Sequence, residues 1–119
     1  MTYTYDSNNI FAKILRGEIP CNKVFENEYA LAFHDIAPVA PVHVLVLPKG
    51  AYMHVEDFIG NAPADLIAGY FAAIRTVVEQ LGVAENFRLI TNNGEGAGQT
   101  VFHFHSHIIA GKPLGALIP

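Results

Sequence analysis

The sequence predicts an α+β fold, with about five short strands in a mainly antiparallel sheet and two helices. Three observations carry that prediction. Several stretches of strand length alternate apolar with polar residues or are apolar throughout. One stretch, residues 63–81, instead repeats its apolar residues at helical spacing. The links between most neighbouring strands are of hairpin length, which antiparallel pairs use and parallel pairs cannot. With 119 residues, 51% of them apolar and 15% charged, the chain supports a single domain, 1–119, around a packed core.

In chain order, Ser7 is placed to cap a short amphipathic helix carrying Ile10, Phe11, Ile14 and Leu15, stopped by Gly17 and Pro20. Its apolar stripe calls for a sheet to cover. The stretch NKVFENEYALAF, residues 22–33, reads as a hairpin turning near Asn27, with Leu31 and Phe33 on one face of its second strand and Asp35 at that strand's end. After the stiff APVAP comes VHVLVLPK, residues 42–49, with three valines on one face and His43, Leu45 and Leu47 on the other. Such a run is a central strand covered on both sides. From Pro63 to Leu81, Leu66, Ile67, Tyr70, Phe71, Ile74, Val77, Val78 and Leu81 recur at helical spacing, with Gly82 just beyond. NFRLIT, residues 86–91, is a fourth strand and VFHFHSHIIA, residues 101–110, a fifth, with the loop NNGEGAGQ between them.

Composition excludes several classes of function. The formal charge is −4 and no cluster of Lys and Arg occurs, so the electrostatic footprint of a nucleic-acid binder is missing. A single cysteine, Cys21, rules out an internal disulfide framework and any Cys-x-x-Cys metal knuckle, which fits a reducing compartment. The N-terminal MTYTYDSNN has no signal-peptide character, and no apolar run approaches the roughly 18–20 residues of a membrane span. The expectation is a cytoplasmic protein with no membrane partner.

The fifth strand holds the chemistry. Alternation puts His103, His105 and His107 on one face, with Phe102, Phe104, Ser106 and Ile108 on the other, and His43 is available from a neighbouring strand. Four readings fit such a row: structural histidines, a zinc or iron site, a pH switch, and nucleophilic catalysis at phosphorus. The preceding GEGAGQT favours the last. Its glycines let backbone N–H groups approach a ligand, and Gln99 and Thr100 add side-chain donors, a collection suited to an anion. No Asp or Glu lies within residues 101–110 to offset a metal's charge.

HFHSHII, residues 103–109, resembles the His-x-His-x-His-x-x signature of the histidine triad superfamily of nucleotide hydrolases and transferases. Residues 10–49 resemble the N-terminal half of its Hint-type branch, the purine nucleoside phosphoramidate hydrolases, and residues 92–107 its active-site half. The resemblance implies a single histidine triad (HIT) domain, a homodimer, no cofactor, and a two-step mechanism through a nucleotidyl-histidine intermediate. By position it makes His105 the nucleophile and His107 a contact to phosphate oxygens. His103 then supports the imidazole row, and His43 is the fourth histidine behind it. Asp35 and Ile36 fall where the nucleoside is held, with the carboxylate on the ribose hydroxyls. Asn92, Gly98, Gln99 and Thr100 match the phosphate-side contacts. His34 and His54 match no functional position and read as structural or surface residues.

The chain departs from the pattern at three places. Ser106 occupies an x position that is usually apolar, which is expected to weaken packing on the face opposite the histidines. Some relatives hold a structural zinc with an N-terminal Cys-x-x-Cys, but Asn9 and Ala12 stand there, so no metal is expected. The tail GKPLGALIP lacks the tryptophan-bearing C-terminal segment of other members. Within the superfamily the alternative is a dinucleoside polyphosphate hydrolase. Outside it, a non-enzymatic nucleotide-binding protein and a metal-dependent enzyme compete.

Overall fold

The structure, a computed structural model, describes residues 4–118. Its strands are β1 (Lys23–Glu26), β2 (Ala30–His34), β3 (Val42–Pro48), β4 (Arg88–Ile90) and β5 (Ser106–Ala110). They form one sheet in the order β1-β2-β3-β5-β4, every neighbouring pair antiparallel. The α+β class and the strand count are as the sequence predicts. The helices are not, because among the described residues three α-helices occur where two are expected: α1 (Ile10–Leu15), α2 (Val55–Asn61) and α3 (Ala64–Gln80).

Local chemistry explains both the agreement and the miss. Asn27 closes the β1–β2 hairpin, its Oδ1 accepting the N–H groups of Tyr29 and Ala30 at 2.9 and 3.0 Å. Pro63 stands at the cap position of α3, and Gly82, at φ +72°, follows its C-cap, Leu81. The N-cap of α1 is Asn9 and not Ser7: Asn9 Oδ1 accepts the Ala12 N–H at 2.9 Å. The seven residues of α2 give too few turns for a periodic stripe to show. Its cap is His54, whose Nδ1 accepts the Asp57 N–H at 3.2 Å, and histidine is not one of the usual capping residues.

The two faces of the sheet pack differently. On one, α3 lays Tyr70, Ala73, Ile74, Val77 and Val78 over Ala30, Ala32, Val44, Val46 and Ile108, with Phe58 and Phe104 completing the layer. Gly69 lets the helix rest directly on the Tyr29 ring, into which any Cβ would project. On the other face, the smaller α1 sets Phe11 against Leu31, Phe33, Leu45 and Leu47. β3 therefore feeds both layers, as its alternating valines and leucines require. The apolar stripe of α3 is taken up almost wholly by its own sheet, leaving Phe71 45% exposed. Among the described residues no helix is long and apolar enough to cross a membrane.

Ser106 overturns its expectation. It is buried on the α3 face, and its hydroxyl is hydrogen-bonded at 2.9 Å to that of Tyr70, which also donates to the Val46 carbonyl at 2.8 Å. Val46 and Ser106 are partners in the β3–β5 ladder. The polar side chain thus has a buried partner and bolts the first residue of β5 to α3 and β3.

Candidate active site

The fifth strand is shorter than the sequence suggests, and this reshapes the triad. β5 begins at Ser106, so of the alternating histidines only His107 lies on a strand. Over residues 103–105 other groups replace the ladder. His103 Nε2 donates to the Pro48 carbonyl at 3.0 Å, the Phe104 N–H to the Tyr52 carbonyl at 2.7 Å, and Thr91 Oγ1 to the His105 carbonyl at 2.8 Å. His103, His105 and His107 consequently do not form one evenly spaced row of imidazoles.

The row that does form runs through other residues. Consecutive ring centroids are 4.9 Å apart from Phe11 to His105, 5.1 Å from His105 to His107 and 5.2 Å from His107 to His43. Strand register explains the last pair. His43 sits opposite Ile109 and His107 opposite Leu45, which makes the two histidines diagonal neighbours on one face. The His103 ring faces Tyr5 instead, edge-on at 5.7 Å. Its link to His105 is through the backbone: His105 Nδ1 donates to the His103 carbonyl at 2.8 Å.

These contacts assign a tautomer to each ring. A carbonyl only accepts, so His105 carries its proton on Nδ1 and keeps a lone pair on Nε2. His103 is protonated on Nε2, facing Pro48. The Val39 N–H donates to His43 Nδ1 at 3.2 Å, so the His43 proton is on Nε2. That proton lies between His107 Nδ1 at 2.9 Å and Asp35 Oδ2 at 3.3 Å. His107 Nδ1 therefore accepts, and its Nε2–H remains as a donor. Burial, the largest cause in each case, holds all three signature histidines neutral: it lowers the pKa of His105 and takes those of His103 and His107 down to about 4. The neighbouring His105 and His43 lower that of His107 further, while the Asp35 carboxylate pulls the other way.

Asp35, His43 and His107 bring ligand atoms within 4.8 Å of one another, close enough to hold a cation. The protonation pattern works against that use. A metal-bound imidazole donates its other N–H to an acceptor, whereas the other nitrogen of His43 faces the N–H of Val39. The cluster suits a hydrogen-bonded row better than a metal centre.

The remaining expected residues divide. Asp35 lies beside His43 and His107, and its Oδ1 accepts the Ala37 N–H at 2.8 Å, holding the turn. Ile36, next to it, is fully exposed. Asn92 borders Gly98, whose φ of +96° only glycine adopts freely. Thr100 is exposed. Gln99 does not present a donor to a ligand. It is 4% exposed, its Oε1 accepts the Gly94 N–H at 2.8 Å, and its Nε2 donates to the carbonyls of Met53 and Val101 at 2.6 and 3.0 Å. The Gly98 N–H is likewise engaged inside the loop, on the Glu95 carbonyl at 3.0 Å. The glycine-rich loop is thus closed on itself, and Gln99 is the residue that closes it. Sequence reasoning passed over two residues that touch the histidines, Tyr5 and Phe11; the helical stripe marked Phe11 only as apolar, and nothing local marked Tyr5.

Comparison with known proteins agrees with this architecture. A HIT-like protein of Azospirillum brasilense is 55% identical over 99% of this chain and 98% of its own length. The purine nucleoside phosphoramidase of Escherichia coli is 36% identical, with 92% of each chain covered. Among solved structures, a HIT family hydrolase from Clostridium thermocellum superposes with a TM-score of 0.85 at 42% identity, over 94% of this chain and 97% of that one. The HIT domain family model matches residues 16–114, and the chain belongs to the HIT domain family.

Proposed function

We propose that this protein is a hydrolase of purine nucleoside 5′-phosphoramidates, acting through a nucleotidyl intermediate on His105. The observation that carries the reading is the tautomer of His105. With Nδ1–H bound to the His103 carbonyl at 2.8 Å, Nε2 keeps an unprotonated lone pair on an imidazole that burial holds neutral. The purine phosphoramidase named above, 36% identical, supports the substrate class.

In the first step His105 Nε2 attacks the α-phosphorus and the P–N bond breaks. Its electron pair stays on the departing nitrogen, which takes a proton from solvent and leaves as the amine, while the neutral His107 keeps its Nε2–H. Water then attacks the phosphorus, the bond to His105 breaks, and the nucleoside monophosphate leaves. The proton that water gives up balances the one the amine took. His107, held from behind by His43, donates a hydrogen bond to the phosphoryl oxygens as their charge grows. Asp35 holds the ribose hydroxyls.

The active form is a homodimer in this proposal. α3 covers β2 and β3 and leaves Leu89, on the edge strand β4, 43% exposed, a place for a second copy. Turnover of adenosine phosphoramidate, compared with diadenosine polyphosphate and repeated in excess chelator, tests the activity. Preference for the polyphosphate, or activity lost in chelator and restored by zinc, would reject it. Sedimentation as a monomer at micromolar concentration would reject the dimer.

A further inference from the structure

Tyr5 has no part in the mechanism above, yet its hydroxyl stands 2.6 Å from His103 Nδ1. The His103 ring is fully buried, and its other nitrogen is committed to the Pro48 carbonyl at 3.0 Å. Nδ1 is therefore a buried lone pair that requires a donor. A phenol supplies one throughout the physiological range, since burial pushes the Tyr5 hydroxyl above its ordinary pKa. Tyr5 and Pro48 bind opposite edges of one imidazole, and a ring held at both nitrogens can neither flip nor change tautomer.

The segment that carries Tyr5 is itself anchored. Asn9 bonds the Asp6 carbonyl through its backbone N–H at 3.2 Å and its side-chain Nδ2 at 2.7 Å, while its Oδ1 caps α1. Arg16 Nη1 donates to the Ser7 carbonyl at 2.8 Å. Residues 5–9 are in this way continuous with α1, whose Phe11 packs edge-on against the His105 ring. One segment thus holds the side chain of His103 and a face of His105. Tyr5 belongs to neither apolar cluster.

We propose that Tyr5 is a positioning residue for His105, acting through His103: by donating to His103 Nδ1 it fixes the residue whose carbonyl accepts the His105 Nδ1–H bond. The inference rests on the proposed function for its kinetic consequence but not for its structural one. Tyr5→Phe removes the hydroxyl and keeps the ring. With adenosine phosphoramidate, kcat should fall about five- to tenfold while KM changes by less than about twofold, because binding groups are untouched and the attacking nitrogen is not. Long-range ¹H–¹⁵N spectra of the free protein should show His105 as a single Nδ1–H tautomer in the wild type and as a mixture in Tyr5→Phe. A variant that keeps wild-type kcat, or in which His105 stays a single tautomer, would reduce Tyr5 to a plug for a buried nitrogen and overturn the proposal. If the wild type does not turn over the phosphoramidate, it is the proposed function that fails, and the tautomer of His105 decides about Tyr5 alone.

Discussion

The two faces of the sheet are made by the same strands and have little else in common. On the α3 face, Ala30, Ala32, Val44, Val46 and Ile108 are each fully buried under a 17-residue helix, and the polar groups present, Tyr70 and Ser106, bond each other. On the α1 face a six-residue helix covers only part of the surface, and beyond Leu45 the apolar layer gives way to His43, His105 and His107. Strand alternation separates the two tasks by parity. Val44 and Val46 of β3 serve the α3 layer, while on the other parity Leu47 and Leu45 pack under α1 and His43 reaches the site, so one backbone supports both a wholly cohesive layer and one that ends in chemistry. The lesson is that substitutions on the two faces should fail in different ways.

The sharpest contrast comes from His105→Ala. If His105 attacks phosphorus, turnover should drop by about 10⁴ to 10⁶, as for other lost nucleophiles, while the melting temperature changes little. A quench of the wild type with substrate should leave a nucleotidyl group on His105, and a label found on His103 or His43 would break the assignment. The opposite face is tested by Ile74→Ala, on the sheet-facing side of α3 and 5% exposed. It should cost about 2–5 kcal/mol of stability through the lost burial and the cavity left behind. The fraction still folded should keep wild-type kcat, and a large fall in kcat would show that the faces are coupled.

Acid should expose the cost of burying the histidines. The unfolded chain, whose imidazoles titrate near 6.5, takes up protons before His103 and His107, which are held down to about 4. Stability is therefore full above about pH 6.5, falls as pH drops towards 4, and is not lowered further by these groups below that. For the fully buried His103 the loss is on the order of a few kcal/mol, and denaturant melts from pH 7 to 4 measure it. His103→Gln should flatten the profile. The smallest effect belongs to Asp35→Ala, where losing charge-assisted bonds to the ribose should weaken nucleotide binding by about tenfold or somewhat more, read by calorimetry. Unchanged affinity would return Asp35 to a turn residue that holds the Ala37 N–H.

What was legible in the sequence was whatever a short window contains. Asn27 announced its hairpin, the valines and leucines of β3 announced a strand buried on both sides, and eight apolar residues at helical spacing announced α3. The histidine signature pointed to the site because strand register sets His107 diagonally beside His43, and the His105 ring packs against that of His107. What stayed hidden depends on partners distant in the chain. β5 starts at Ser106 because the Pro48 carbonyl, Tyr52 and Thr91 take the bonds a longer strand would have used. Gln99 turns inward because Met53 offers it a carbonyl 46 residues away. Tyr5 meets His103 across 98 residues of sequence. Helix α2 was missed for another reason, its brevity and its histidine cap.

The diagonal pairing of His43 with His107 has a consequence for chain length as opposed to residue identity. Slipping β5 by one position along β3 would turn His107 into the layer beneath α3 and bring Ile108 out in its place. A slip of two would keep the faces but carry His107 roughly 6.5–7 Å from its partner. Within β3 and β5, then, a single inserted or deleted residue is more damaging than most replacements, and length variation between this protein and its relatives belongs in the loops and at the ends of the chain.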